Sequence, residues 1–238
     1  MRREHDPIIV ALDAGERERI LYLAEALRGE VETVKIGLEA YTGAGPEILE
    51  ELREMGFRVF VDLKLHDIPN TVRGAVRGLV RRGAGMLTVH ACGGRKMLEA
   101  AVDSALAEAE AVGAEPPLLL GVSVLTSLDD TDLVQIGWAG NTQKMVLSLA
   151  GMALRCGLGG LVASAREAEA LRKVHGPGPV IVTPGIRLAG EEEGDQARTA
   201  TPEQALSSGA DYLVVGRTVI SHPDPPTALR EVRRAAGL

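Results

Sequence analysis

Short apolar runs, each followed by a helical pattern, recur about eight times along the chain. The runs are Pro7–Asp13, Val31–Gly37, Phe57–Leu65, Met86–Ala91, Pro117–Val124, Gly160–Ser164, Pro179–Pro184 and Tyr212–Gly216. Helical patterns cover Glu16–Arg28, Pro46–Met55, Val72–Arg82, Arg95–Val112, Thr142–Cys156, Ala165–Val174, Pro202–Ser208 and Pro226–Ala236. A polar loop or short helix is expected over Leu128–Trp138. The runs are continuously apolar, as strands buried on both faces are. Parallel strands need a crossover, and a helix supplies it. The expected fold is therefore α/β, a single (β/α)8 (TIM) barrel over residues 1–238, a usual length for that architecture. A doubly wound open sheet is the runner-up. It calls for a Gly-rich fingerprint after its first strand, and ALDAGE at residues 11–16 is not one. No linker or shift of composition marks a second domain.

Apolar residues make up 45% of the chain and aromatics only 3%, so the core is aliphatic. A net charge of −7 argues against nucleic acid or a membrane surface as partner, since both want a basic face. It leaves room for a small anion held by a local cluster of cations. Cys92 and Cys156 read as reduced, buried thiols of a cytoplasmic protein rather than a disulfide framework. The first residues lack an apolar segment behind their arginines, so no signal peptide is expected. No run approaches the ~20 apolar residues that cross a bilayer.

The third run differs from the others, because it turns charged as it ends. Side chains alternate across a strand, so Phe60, Asp62 and Lys64 share one face. Asp67 follows, and Pro69 biases Ile68 away from helix. Asn70 or Thr71 is placed to cap a helix starting near Val72. Ionisable groups inside a barrel are costly unless paired or used. A structural ion pair is the plain reading; a functional site is the sharper one. Lysine usage points the same way: only five of 26 basic residues are Lys, yet Lys35 and Lys64 both fall near strand ends. Lys can release a proton at useful pH and Arg cannot.

In such barrels ligands bind where strands end. The polar residues there are Asp13, Lys35, Asp62, Lys64, Asp67, His90, Thr126, Ser127, Arg187 and Arg217. Gly185 and Arg187, then Gly216 and Arg217, fall in the loops after strands seven and eight, the usual phosphate cradle. Glycine lets backbone N–H groups approach a phosphate, and Arg pairs with it bidentately. Taken alone, Gly216 and Arg217 read equally well as a helix start with a surface arginine. His66 reads as bracing a turn rather than ligating metal, for want of a second ligand at metal spacing. His90 is expected as a hydrogen-bonded inner-face residue, Glu191–Glu193 as a solvated loop tip, and Trp138 as packing the loop after strand five.

DLKLHDIPNT at residues 62–71 resembles the signature of the orotidine 5′-phosphate decarboxylases. ALD at 11–13, VKIG at 34–37, VLTS at 124–127, TPGIR at 183–187, GDQ at 194–196 and VGR at 215–217 match in the same order. A bare D-x-K-x-x-D is shared with sugar-phosphate decarboxylases and synthases of the same barrel group; the portion from His66 to Thr71 is more specific. The resemblance implies decarboxylation of orotidine 5′-phosphate to UMP without cofactor or metal. It implies Lys64 as proton donor and Asp62 beside the substrate carboxylate, with Lys35 and Asp67 completing an alternating array. Asp67 and Thr71 would reach the neighbouring subunit's site, making a homodimer. Asp13 and Lys35 would hold the ribose, Thr126 and Ser127 would face the pyrimidine, and Arg187, Gln196, Gly216 and Arg217 would hold the phosphate. A metal-dependent sugar-phosphate enzyme and a non-catalytic nucleotide-binding barrel remain the rival readings.

Overall fold

The computed structural model describes residues 5–191 and 199–238. Among them, β1 (Ile8–Ala11), β2 (Thr33–Gly37), β3 (Arg58–Leu65), β4 (Met86–His90), β5 (Leu118–Val122), β6 (Gly160–Val162), β7 (Val180–Thr183) and β8 (Tyr212–Val215) close into a barrel in chain order. All pairings are parallel, and the ring closes where Ile8 meets Leu213 and Val10 meets Val215. Closure leaves no sheet edge exposed. The (β/α)8 expectation holds.

Helix α1 (Arg17–Leu27) follows β1, while α2 (Leu38–Ala44) and α3 (Ile48–Glu54) follow β2. Next come α4 (Pro69–Arg81) after β3 and α5 (Arg95–Val112) after β4. Two helices, α6 (Asp130–Gln135) and α7 (Thr142–Arg155), follow β5, and α8 (Ala165–His175) follows β6. Last are α9 (Pro202–Ser207) after β7, then α10 (Arg217–Ile220) and α11 (Pro225–Ala235) after β8.

Two apolar clusters explain why the strands read as unbroken runs. Inside the barrel, Ile9, Phe60, Met86, Leu120, Val182, Tyr212 and Val214 pack against one another. The alternate residues, among them Ile8, Val34, Val59, Leu87, Leu119 and Leu213, pack outward on the helices. At the lower end Tyr212 stacks on His5, ring centroids 4.5 Å apart, and meets Arg58 at 3.5 Å. Polar groups therefore gather at the two ends, and the upper end holds the site.

Three local expectations are corrected. The helix after β3 starts at Pro69, not near Val72, and neither Asn70 nor Thr71 caps it. Proline at the first helical position needs no N–H partner and brings a helical φ, so Ile68 serves as the boundary. The short α2 was not expected, since seven residues carry too little periodicity to announce a helix. Cys156 is buried, but Cys92 is only half-buried; both are free thiols. Within Leu128–Trp138, α6 forms behind an Asp129–Asp132 capping box, and Trp138 packs on the core. No helix among the described residues is long and apolar enough to cross a membrane.

Candidate active site

The carboxyl ends of the strands open into a cavity of about 580 Å³. Asp13, Lys35, Asp62 and Lys64 line it from the ends of β1 to β3, and Arg187, Gly216 and Arg217 from the segments after β7 and β8. The four charges of the first set form a continuous chain. Lys35 Nζ lies 2.9 Å from Asp13 Oδ1 and 3.7 Å from Asp62 Oδ2. Lys64 Nζ lies 2.9 Å from that same Asp62 oxygen. The Lys35 side chain is only 9% exposed and Asp62 14%, so water screens their attraction weakly. Burial alone would raise the Asp62 carboxyl. The charges of Lys35 and Lys64, with hydrogen bonds from Lys64 and Thr88, outweigh it and hold the group below its usual range.

Gly37 makes room for this chain of charges. A Cβ there would sit 2.9 Å from Asp13 Oδ1 and 3.0 Å from Lys35 Nζ. Here a side chain would crowd the ion pair itself.

Lys64 reaches Asp62 by a route that simple alternation does not describe. Val61 pairs with Leu87 and Leu65 with Val89, so Asp62, Leu63 and Lys64 together span the interval that Thr88 spans on β4. This bulge puts Lys64 at φ 51°, and it is the one non-glycine residue with positive φ among the described residues. Such a backbone costs on the order of 1–3 kcal/mol and persists where its surroundings enforce it. Bulges re-aim side chains beside functional sites, and this one brings an ammonium over the Asp62 carboxylate. The buried Thr88 hydroxyl binds both parts, accepting from the Lys64 N–H at 2.9 Å and donating to Asp62 Oδ1 at 3.0 Å. Sequence reading missed Thr88, which shares the inward-facing period of β4 with Met86 and His90 and is by type an ordinary strand residue.

His90 stands at the end of β4, its ring 5.4 Å from that of His66. Its Nδ1 is buried without a hydrogen-bond partner, contrary to the hydrogen-bonded residue expected. Burial, then His66 and Lys64, push its pKa down, and Asp62 opposes them. His66 is exposed, with Nε2 4.0 Å from the Cys92 sulfur.

Gly185 adopts φ 75°, which turns the chain after β7 toward Arg187. Gly216 follows β8 as the N-cap of α10, which Arg217 opens. Thr218 behind it donates to Glu191 at 2.6 Å, and Glu191 is exposed; Glu192 and Glu193 lie outside the described residues. Thr126 lines the cavity, whereas Ser127 is exposed and outside its lining. Asp67 and Thr71 are exposed too, and Asp67 caps the N–H of Ile68 at 2.6 Å. A single chain therefore assembles Asp13, Lys35, Asp62 and Lys64 but leaves Asp67 out of the cavity lining. Gln196, with Gly194 and Asp195, lies outside the described residues.

Residues 6–232 match the family model for the orotidine 5′-phosphate decarboxylase / HUMPS family. The chain belongs to this family. An orotidine 5′-phosphate decarboxylase from Paramagnetospirillum magneticum is 45% identical over 233 residues, 98% of this chain and 99% of that protein. One from Moorella thermoacetica is 47% identical over 228 residues, 95% of this chain and 90% of that protein. The crystal structure of the Lactobacillus acidophilus orotidine 5′-phosphate decarboxylase superposes with a TM-score of 0.86 at 35% identity, covering 98% of this chain and 99% of that one. The match to the orotidine 5′-phosphate decarboxylase / HUMPS family thus takes in the whole charged array and both arginines.

Proposed function

We propose that the protein is a carboxy-lyase that converts orotidine 5′-phosphate to UMP in pyrimidine synthesis, without a cofactor. The observation that carries the reading is the Asp13–Lys35–Asp62–Lys64 chain at the barrel mouth, with Arg187 and Arg217 lining the same cavity. Family membership and the names of the relatives support it.

Breaking the C6–carboxylate bond releases CO₂ and leaves its electron pair on C6, in the plane of the ring. That pair cannot spread into the π system, so the protein must supply the stabilising field. The Lys64 ammonium stabilises the developing carbanion as a fixed charge, then transfers a proton from Nζ to C6 and becomes a neutral amine. Solvent recharges it after product leaves. Asp62, itself held by Lys35, pairs with the ammonium and aims it while the substrate waits. Asp62 lies beside the substrate carboxylate.

In this reading Asp13 and Lys35 hold the ribose hydroxyls, and Thr126 faces the pyrimidine. Arg187, Gln196, Gly216 and Arg217 hold the phosphate. Binding energy from that remote group is available to the reacting centre. Asp67 and Thr71, exposed on one chain, enter the site of a second copy and complete the array, so the working form is a cytoplasmic homodimer.

The test is an assay of purified protein on orotidine 5′-phosphate, following pyrimidine absorbance and CO₂, with and without chelator. Turnover indifferent to chelator is expected. Binding of UMP without CO₂ release would make the protein a nucleotide-binding barrel. Inertness on orotidine 5′-phosphate, with chelator-sensitive activity on a sugar phosphate, would move it to the sugar-phosphate enzymes.

A further inference from the structure

Thr88 is 1% exposed and sits between the apolar Leu87 and Val89. A valine of the same shape would fill that place in a strand without bringing a hydroxyl to bury. The hydroxyl serves as both acceptor and donor, and both partners belong to the charged array. We propose that Thr88 is a positioning residue for decarboxylation: a buried clamp that fixes the Lys64 backbone and the Asp62 carboxylate relative to each other. The inference rests on the reading of the site as a decarboxylase centre.

The bulge explains why a clamp is needed at this point. Regular β3–β4 pairing is interrupted between Val61 and Leu65, and the Lys64 N–H falls within the interruption. The Thr88 oxygen takes that N–H at 2.9 Å, standing in for a ladder carbonyl. It thereby holds Lys64 in its left-handed conformation at φ 51°. The same oxygen donates its proton to Asp62 Oδ1 at 3.0 Å. Asp62 Oδ2 is left to the two ammonium groups, Lys64 at 2.9 Å and Lys35 at 3.7 Å. The carboxylate is thus held at both oxygens. It cannot rotate toward Lys64 as charge shifts during the reaction without giving up Thr88. One hydroxyl therefore sets both the position of the proton donor and the plane of its partner, and touches neither substrate nor product itself.

The experiment compares wild type with Thr88→Val, Thr88→Ala and Thr88→Ser on orotidine 5′-phosphate across pH, with thermal melting and UMP binding as controls. Thr88→Val is expected to lower kcat roughly 100-fold while KM and UMP affinity stay within about threefold, the signature of a misplaced reacting group rather than lost binding. The acid limb of its kcat profile moves to higher pH, because Asp62 loses a hydrogen bond that holds its carboxyl down. Thr88→Ala shows the same pattern and carries the test should the valine variant not fold. Thr88→Ser restores kcat to within about tenfold and restores the acid limb, since it keeps the hydroxyl. The inference is overturned if both hydroxyl-free variants keep kcat within about threefold, or if serine is as slow as valine. Wild type that fails to turn over orotidine 5′-phosphate overturns the functional reading as well; active wild type with unaffected variants overturns the clamp alone.

Discussion

Lys35 and Lys64 converge on one oxygen of one carboxylate, their ammonium nitrogens 3.7 and 2.9 Å from Asp62 Oδ2. Removing that negative charge leaves two ammonium groups facing each other in a largely dry site. Asp62→Asn is expected to destabilise the protein by about 3 kcal/mol, the lower end for breaking a buried pair, because Lys64 keeps some contact with water. Urea unfolding at pH 7 measures it. Unchanged stability would mean that the two ammonium groups do not depend on Asp62.

Gly37→Ala tests the space around the ribose end of the array. The added Cβ would press on Asp13 Oδ1 at 2.9 Å and Lys35 Nζ at 3.0 Å, and both are tips of side chains that can shift. The expected outcome is a folded protein, destabilised by about 1–3 kcal/mol, whose KM rises roughly tenfold. Wild-type KM would show that the Asp13–Lys35 geometry is not what holds the substrate.

How much of this was legible in the sequence depends on the length scale. The strand–helix rhythm is repeated so often that the barrel survives errors at single boundaries. Asp62 and Lys64 were legible because charge inside an apolar run is costly and therefore conspicuous. The bulge that delivers Lys64 was not, since φ 51° on a lysine between leucines leaves no mark in the residue types. Thr88 was hidden for a related reason: threonine is an ordinary strand residue, and only its two partners give it meaning. Pro69 was read as a signal before a helix when it was the helix's first residue, a distinction that rests on the conformation of Ile68. Asp67 and Thr71 stand exposed on one chain, so their suggested role needs a second copy.

His90 makes stability fall with acid. Its folded-state pKa lies below the ordinary 6.5, through burial and the nearby His66 and Lys64, with Asp62 opposing. Above pH 6.5 both folded and unfolded chains carry it neutral. As pH falls through that value the unfolded chain gains a proton that the folded one refuses, so stability drops until the folded pKa is reached. His90→Gln is expected to flatten the profile below pH 6.5 relative to wild type. Identical profiles would assign the acid sensitivity to other groups.

Arg217 stands at the start of α10 and lines the same cavity as Lys64. If it holds the substrate phosphate, Arg217→Ala loses a charge-assisted contact of about 1.5–3 kcal/mol, a rise in KM of roughly 10- to 100-fold. Orotidine lacking the phosphate should be handled equally by variant and wild type. An equal loss on both substrates would place Arg217 elsewhere in the reaction.

In the proposed reaction a lysine ammonium, fixed over a carboxylate at the barrel mouth, does the work of a cofactor. The most direct test of that role is the single-turnover rate of decarboxylation by Lys64→Ala, measured beside melting and UMP affinity. The account predicts a fall of at least about 10,000-fold in rate, since the variant loses both the stabilising charge and the proton donor, with the fold intact. A folded variant that keeps its rate within about tenfold of wild type would contradict it.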